Sequence, residues 1–150
     1  MSDGLRLDPM SEDDLDWVVE HEAQLHAFPW TRGNFADSLG AGYVARVLRK
    51  HGEPVGYAVM MLVVDEAHLL NLSVIRARQR EGLGRALLER LFELARGYGA
   101  TQLFLEVRPS NTPALALYRA CGCEAVGRRK RYYPTTDGER EDAILMRAAL

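Results

Sequence analysis

A strand-like run, Leu69-Leu70-Asn71-Leu72-Ser73-Val74, meets the glycine-bearing segment Gln79-Arg80-Glu81-Gly82-Leu83-Gly84, after which apolar residues recur at helical spacing. Leu83, Leu87, Leu91, Leu94 and Tyr98 form that stripe, Gly97 and Gly99 close it, and a second strand-like run follows from Gln102 to Val107. Strand, helix and strand in this order demand a crossover, so the two strands should be parallel and joined right-handedly. No other feature constrains the fold as strongly.

The rest of the chain arranges itself around this unit. Leu5-Arg6-Leu7 alternates and suits a short opening strand. Ser11, followed by Glu12, Asp13 and Asp14, starts a helix expected to run to about Leu25. Leu15, Val18, Val19 and Ala23 form its apolar face, and Glu22 falls on the same face. Most such acids lie at the edge of the stripe, while a few point into a site. His26-Ala27-Phe28-Pro29-Trp30 breaks the helix at proline, and Thr31 caps a second helix through Phe35 and Leu39, ended by Gly40 and Gly42. Runs from Tyr43 to Leu48 and from Val55 to Val64, separated by Lys50-His51-Gly52-Glu53-Pro54, predict a hairpin. With a turn at Asp65-Glu66, the strand ending at Val74-Ile75 completes an antiparallel meander.

Downstream, Arg108-Pro109-Ser110-Asn111 is a polar turn before a short helix from Thr112 to Ala120, with Pro113 in its first turn. Runs from Cys123 to Val126 and from Ala143 to Arg147 are expected to be the last strands, bracketing a turn-rich loop from Tyr132 to Gly138. The order is mixed α/β without an internal repeat or linker. A chain of 150 residues suits one domain, burying roughly 70% of its unfolded surface.

The glycine turn is where chemistry can sit. Gly82 and Gly84 let backbone N–H groups approach a ligand closely, a helix N-terminus adds partial positive charge, and Arg76, Arg78, Arg80 and Arg85 surround it. This suits a phosphate, although the glycines alone would also serve a tight strand-to-helix connection. A Walker-type loop is excluded because Gly84 precedes Arg85-Ala86 rather than Lys and Ser or Thr. A dinucleotide fingerprint matches its first two glycines, with Glu106 about where a ribose-binding acid would be, but Leu87 replaces its third small residue. No second mononucleotide-binding half fits either.

Composition narrows the partners. A net charge of −2 with 27% charged residues demands neither nucleic acid nor membrane, and the longest apolar run, Tyr57 to Val64, is too short to span a bilayer. The N-terminal stretch from Met1 to Arg6 has no secretory pattern, so a cytoplasmic protein is expected. In that reducing setting Cys121 and Cys123 are expected to be small buried apolar residues, near each other in strand geometry but not bridged. His21, His26, His51 and His68 are scattered, so no metal is expected.

Gln79-x-x-Gly82-x-Gly84 between strand and helix, followed by a strand, Asn111, and a helix bearing Tyr118, resembles the acyl-CoA pyrophosphate motif of the GNAT superfamily of N-acetyltransferases. Further similar words cover nearly the whole chain: His26-Ala27-Phe28-Pro29-Trp30, Asp65-Glu66-Ala67, Leu105-Glu106-Val107-Arg108, Tyr132 to Gly138, and Arg140-Glu141-Asp142-Ala143. The resemblance implies the GNAT fold, a mixed and mostly antiparallel sheet with one splayed parallel strand pair, flanked by helices. Acetyl-CoA would be the cosubstrate. Leu72, Ser73 and Val74 would line its pantetheine arm, with a backbone N–H on the thioester carbonyl; Arg80, Glu81, Gly82, Leu83, Gly84 and Arg85 would cradle the pyrophosphate; Asn111 would hold the cofactor by its amide. Two departures stand out: Gly122-Cys123 where Gly-Phe is common, and a loop near Gly138-Glu139-Arg140 one residue longer.

Glu106 and Tyr118 would be the acid–base pair. A carboxylate can take the proton of an attacking amine, and a phenol of pKa about 10 can protonate a departing thiolate. Taken by spacing alone, Glu106 would be a surface acid paired with Arg108, and Tyr118 a core tyrosine. Neither cysteine lies in a nucleophile–base motif, so direct attack on the thioester is expected. The resemblance points to the N-terminal alanine of a small-subunit ribosomal protein as substrate, with Phe28, Pro29, Trp30, Tyr132 and Tyr133 flanking a peptide groove. Lysine or small-amine acetylation, and a non-catalytic acyl-CoA- or nucleotide-binding module, are the alternatives. Arg128-Arg129-Lys130-Arg131 reads as a solvated strand edge, or as a run that steers a substrate.

Overall fold

His51 and Gly52 both take positive φ, 51° and 85°, and so fold the chain back tightly between two antiparallel strands, β2 (Val44–Lys50) and β3 (Glu53–Val63). A second tight turn at Val64 and Asp65 sends β4 (Glu66–Val74) back along β3, giving the expected meander. β1 (Leu5–Pro9) adds to the outside of β2. After the glycine turn comes α3 (Leu83–Gly97), then β5 (Gln102–Val107), which pairs with β4 in parallel. α4 (Thr112–Ala120), β6 (Glu124–Pro134) and β7 (Arg140–Ala149) follow, while α1 (Leu15–Leu25) and α2 (Arg32–Gly40) lie between β1 and β2 in sequence. This computed structural model describes residues 3–150; Met1 and Ser2, where the stretch read for a leader begins, lie outside the described residues.

One seven-stranded sheet results, in the order β1-β2-β3-β4-β5-β7-β6. Its two faces carry separate cores. Val55, Ala58 and Met60 of β3 meet Leu87, Leu88 and Leu91 of α3, whereas Tyr57 and Val59 meet Leu15 and Val18 of α1 and Phe35 of α2. Val55 is an extra residue in the ladder with β2, and this bulge moves it onto the α3 face. No helix among the described residues is long and apolar enough to cross a membrane.

Several expectations need correction. α3 buries Leu83, Leu87, Leu88, Leu91, Phe92 and Ala95, while Leu94 is half-buried and Tyr98 exposed. A helix lying on a broad sheet buries a wide face, and the Leu94–Tyr98 line runs along its edge. On α1, Glu22 takes the inward position and Ala23 is exposed. The last strands are longer than expected, so Tyr132, Tyr133 and Pro134 belong to β6 rather than to a loop. A bulge opposite Asp142, between the pairs Arg129↔Ala143 and Tyr133↔Glu141, lets β6 continue. The Asp142 carboxylate holds this bulge by accepting from the Arg131 N–H at 2.9 Å and from Arg128 Nη1 at 3.3 Å. Cys121 and Cys123 flank the turn at Gly122 instead of lying on a strand; both are free, Cys121 half-buried and Cys123 buried.

One irregularity of the sheet creates the site. β4 and β5 pair from Glu66↔Gln102 to Leu69↔Leu105 and then part. β4 stays with β3 to the pair Gly56↔Val74, and β5 stays with β7 to Val107↔Ile144, so a wedge opens between them. At its end Gly56 is tightly enclosed: a Cβ there would lie 2.8 Å from the Ser73 carbonyl oxygen and 3.6 Å from Leu87 Cδ2. Gly56→Ala is therefore expected to destabilise the fold by about 1–3 kcal/mol. Urea unfolding checks this, and unchanged stability would show that β4 can move away from β3.

Candidate active site

The wedge is the floor of a cleft of about 1250 Å³. Leu70, Asn71, Leu72 and Val74 line one wall and Leu105, Glu106 and Val107 the other. Because β4 has left β5, the backbone groups of Leu70 to Val74 that face β5 lack a ladder partner there. They are available to a ligand lying along the wedge.

At one end the cleft meets the start of α3. Gly82 and Arg80 take positive φ, 77° and 67°, and the Gln79 amide donates to the Val74 carbonyl at 3.1 Å, holding the turn against β4. Side chains cap α2 and α4, since Thr31 accepts from the Asn34 N–H and Asn111 from the Ala114 N–H. Among the described residues no side chain caps α3. Its first N–H groups are left as donors, with the positive end of the helix dipole behind them. Gly82, Leu83, Gly84, Arg80 and Asn111 all line the cleft.

Three residues read as cofactor contacts lie elsewhere. The Glu81 carboxylate pairs with Arg78 at 3.0 Å, and Arg85 pairs with Glu89 at 2.8 Å, one helical turn along. Ser73 is buried on the opposite side of β4, where its hydroxyl donates to Asn71 Oδ1 at 2.9 Å. Strand alternation explains this, because Leu72 and Val74 turn to the α3 side and Ser73 to the α1 side. Arg80 makes no ion pair among the described residues, and Arg78 and Gln79 join it in the cleft wall.

Glu106 and Tyr118 come from β5 and α4 into the same cleft. The partner of Glu106 is Arg129, whose Nε lies 2.9 Å from Oε1, and not Arg108. Arg108 is drawn away: it donates to the Pro134 carbonyl at 2.7 Å and to Glu141 at 3.1 Å, and its guanidinium lies over the Tyr133 ring at 4.4 Å and the Phe28 ring at 5.6 Å. Tyr118 is buried, and desolvation, with the Cys123 thiol and Tyr133 nearby, pushes its hydroxyl up to about 12. It therefore holds its proton throughout the neutral range.

Aromatic residues form the opposite end. Tyr132 and Tyr133 pack edge to face with ring centroids 5.0 Å apart, Arg129 lies over Tyr132, and Trp30 leans on Phe35. Phe28, Trp30, Tyr132 and Tyr133 line the cleft, whereas Pro29 shapes the loop without lining it. A smaller cavity of about 310 Å³ continues past Glu106 between Trp30, Tyr132, His68, Leu70 and Phe104. Glu106 thus sits where the cleft meets the aromatic side, away from the glycine turn. Sequence reasoning missed His26, Asn71 and Arg108 as lining residues; a polar Asn71 inside an apolar strand was the signal for one of them. Among the described residues no group of three or more His, Cys, Asp or Glu could hold a metal ion.

Residues 7–123 match the acetyltransferase (GNAT) family. The chain is 45% identical over 133 residues to the [ribosomal protein bS18]-alanine N-acetyltransferase of Escherichia coli (strain K12), covering 89% of each. It is 36% identical over 133 residues to the protein of the same name in Haemophilus influenzae, covering 89% of this chain and 90% of that one. The crystal structure of the ribosomal-protein-S18-alanine N-acetyltransferase from Escherichia coli superposes with a TM-score of 0.89 at 41% identity, over 97% of this chain and 93% of that one.

Glu141 ties the turn after β5 to β7, accepting from the Ser110 hydroxyl at 2.7 Å and from Arg108. The Ser110 hydrogen bond, then Arg108, holds its carboxyl below the ordinary carboxylate range. A lowered folded pKa gives stability that is present above the unfolded pKa and lost as pH falls through the folded one. Glu141→Gln should therefore be less stable than the native protein at pH 7, with the gap closing on acidification below about pH 4. Urea unfolding at several pH values checks the trend; a gap that widens in acid would contradict it.

Proposed function

The chain belongs to the acetyltransferase (GNAT) family, and on that premise we propose that it transfers acetyl from acetyl-CoA to the α-amine of a protein N-terminus, the N-terminal alanine of a small-subunit ribosomal protein. One observation carries this reading: a single cleft has uncapped helix N–H donors at one end, an aromatic groove at the other, and Glu106 and Tyr118 in its walls. The relatives named for bS18-alanine acetylation, at 45% and 36% identity, supply the substrate. The whole chain would work as one domain, in the cytoplasm where ribosomal proteins are made.

The cleft suits the cosubstrate. Uncapped N–H groups of α3 and the unpaired Arg80 suit a pyrophosphate, and Leu72 and Val74 beside unpaired β4 backbone suit an amide-containing arm. The Asn111 oxygen is committed to capping α4, which leaves its NH₂ group to donate to the ligand. When bound, acetyl-CoA supplies the acetyl group as an activated thioester.

Glu106 is the base: its carboxylate, reachable from the aromatic side, takes the proton of the incoming amine directly or through water. An α-amine of pKa about 8 needs less help than a lysine of about 10.4. Tyr118 is the acid, donating from its hydroxyl to the leaving sulfur. Phe28, Trp30, Tyr132 and Tyr133 hold the peptide and exclude water. Ser73, Glu81 and Arg85 drop out of this account as side-chain ligands, since their side chains are committed off the cleft.

Mass spectrometry of a peptide beginning with alanine, incubated with protein and acetyl-CoA, is expected to place acetyl on the α-amine. Glu106→Gln and Tyr118→Phe should each lower kcat by about 10²–10⁴-fold. With its hydroxyl pushed up to about 12, Tyr118 should cause no alkaline loss of kcat below about pH 9.5. Acetyl found on lysine side chains or small amines instead would overturn the substrate assignment, and cofactor binding without transfer would point to the non-catalytic module.

The exposed run on β6 offers a separate check. Arg129 touches Glu106 and Arg128 pairs with Asp142 at the β6 bulge, so Lys130 and Arg131 are the members of the run to reverse. Their replacement by Glu is expected to raise the peptide KM several-fold at low salt while acetyl-CoA affinity stays constant. Parallel loss of both would show that the run does not steer substrate.

A further inference from the structure

Glu22 has no part in the chemistry above, yet it is a carboxylate 1% exposed at the foot of the cleft. A buried charge persists only where donors surround it. Three elements supply them: the Tyr57 hydroxyl of β3 donates to Oε1 at 2.8 Å, Asn71 Nδ2 of β4 donates to Oε1 at 3.2 Å, and the Trp30 N–H of the loop donates to Oε2 at 3.0 Å. Burial and the Glu22 charge push the Tyr57 hydroxyl up, so it remains a donor.

The Asn71 bond is one link of a ring of contacts that runs from Glu22 through Asn71, Ser73 and His26 back to Glu22. Ser73 Oγ donates to Asn71 Oδ1 at 2.9 Å, so its lone pairs face His26 Nε2, 3.0 Å away. The His26 proton is thereby assigned to Nε2, which also lies 3.5 Å from Glu22 Oε1. His26 begins the loop and Trp30 ends it. Asn71 and Ser73 lie on the stretch of β4 that has parted from β5. The ring therefore ties both ends of the aromatic loop to the floor of the wedge.

We infer that Glu22 is a positioning residue which, through this ring, sets the peptide-side loop against the acyl-binding floor and so aligns the amine with the acetyl group. This inference rests on the proposed function. The role is one of accepting hydrogen bonds, because both carboxylate oxygens are committed and Glu22 does not act as a second base. A glutamine can fill it: its oxygen accepts from the Trp30 N–H, and its NH₂ group donates to Asn71 once the ring reverses direction. An isosteric methionine cannot.

The test compares Glu22→Met and Glu22→Gln with the native protein, varying an alanine-initiated peptide and acetyl-CoA in turn. Small misplacement of reacting groups is costly, so Glu22→Met should lose at least about tenfold in kcat/KM for the peptide. Its KM for acetyl-CoA should stay within about twofold, and Glu22→Gln should keep most of the native rate. Hydrogen exchange should show the Trp30 amide losing protection in Glu22→Met only. Tyr57→Phe, which removes a core-side donor and leaves the Trp30 bond, should lower Tm without changing the peptide KM. If Glu22→Met does not fold, His26→Phe at the half-exposed corner of the ring should show the same split, and His26→Gln, which keeps a donor to Ser73, should not.

An active native protein whose Glu22→Met or His26→Phe variant keeps its peptide kcat/KM would overturn the positioning role alone. So would Glu22→Gln as inactive as Glu22→Met, which would make the charge of Glu22 rather than its accepted hydrogen bonds the requirement, or a parallel rise in the KM for acetyl-CoA. A native protein that transfers nothing to the peptide would overturn the functional reading itself.

Discussion

Parallel pairing between β4 and β5 stops at Leu69 and Leu105, and the cleft, its ligand-facing backbone and the placement of Glu106 depend on that parting. Strands in a sheet ordinarily keep their partners, because an unpaired backbone group away from water is costly. Here each strand keeps one partner: β4 stays on β3 as far as Val74, and β5 stays on β7 as far as Val107. The opening therefore costs only the ladder bonds across the wedge, and a polar ligand can restore some of them. The glycine turn at the head of α3 then stands at one end of the gap rather than over a closed sheet.

Two carboxylates share the cleft and differ in what surrounds them. Glu22 is buried and committed to neutral donors from three elements, an arrangement that fixes position. Glu106 is partly exposed and held by a single arginine that is itself 59% exposed and also lies over the Tyr132 ring. Partial exposure suits the base proposed for Glu106, and full burial suits the positioning role proposed for Glu22. Tyr118 completes the division, since burial keeps its proton in place until well above neutral pH.

Legibility in the sequence followed the range of the signals. β5 and α4 lie on the expected residues because turn and cap chemistry is local: Asn111 caps α4 and Pro113 sits in its first turn. β6 did not, because the bulge that lets it run on to Pro134 is held by Asp142, far along the chain. The glycine turn and the aromatic words pointed to residues that line the cleft, but Ser73, Glu81 and Arg85, which the family resemblance implied as cofactor contacts, do not line it. Where their side chains point was decided by strand alternation and by Arg78 and Glu89.

The sequence by itself determined the order of elements, the parallel crossover around the glycine turn, and the residue types able to hold a phosphate or move a proton. Those rest on periodicity, glycine conformational freedom and side-chain chemistry, all properties of short segments. The family resemblance already implied a splayed parallel pair; only the tertiary structure decided that β4 and β5 part after Leu69 and Leu105, that Arg129 rather than Arg108 meets Glu106, and that Glu22 joins Tyr57 and Asn71. These are contacts between residues far apart in the chain, set by how the sheet and two helical layers pack, and no local pattern specifies them.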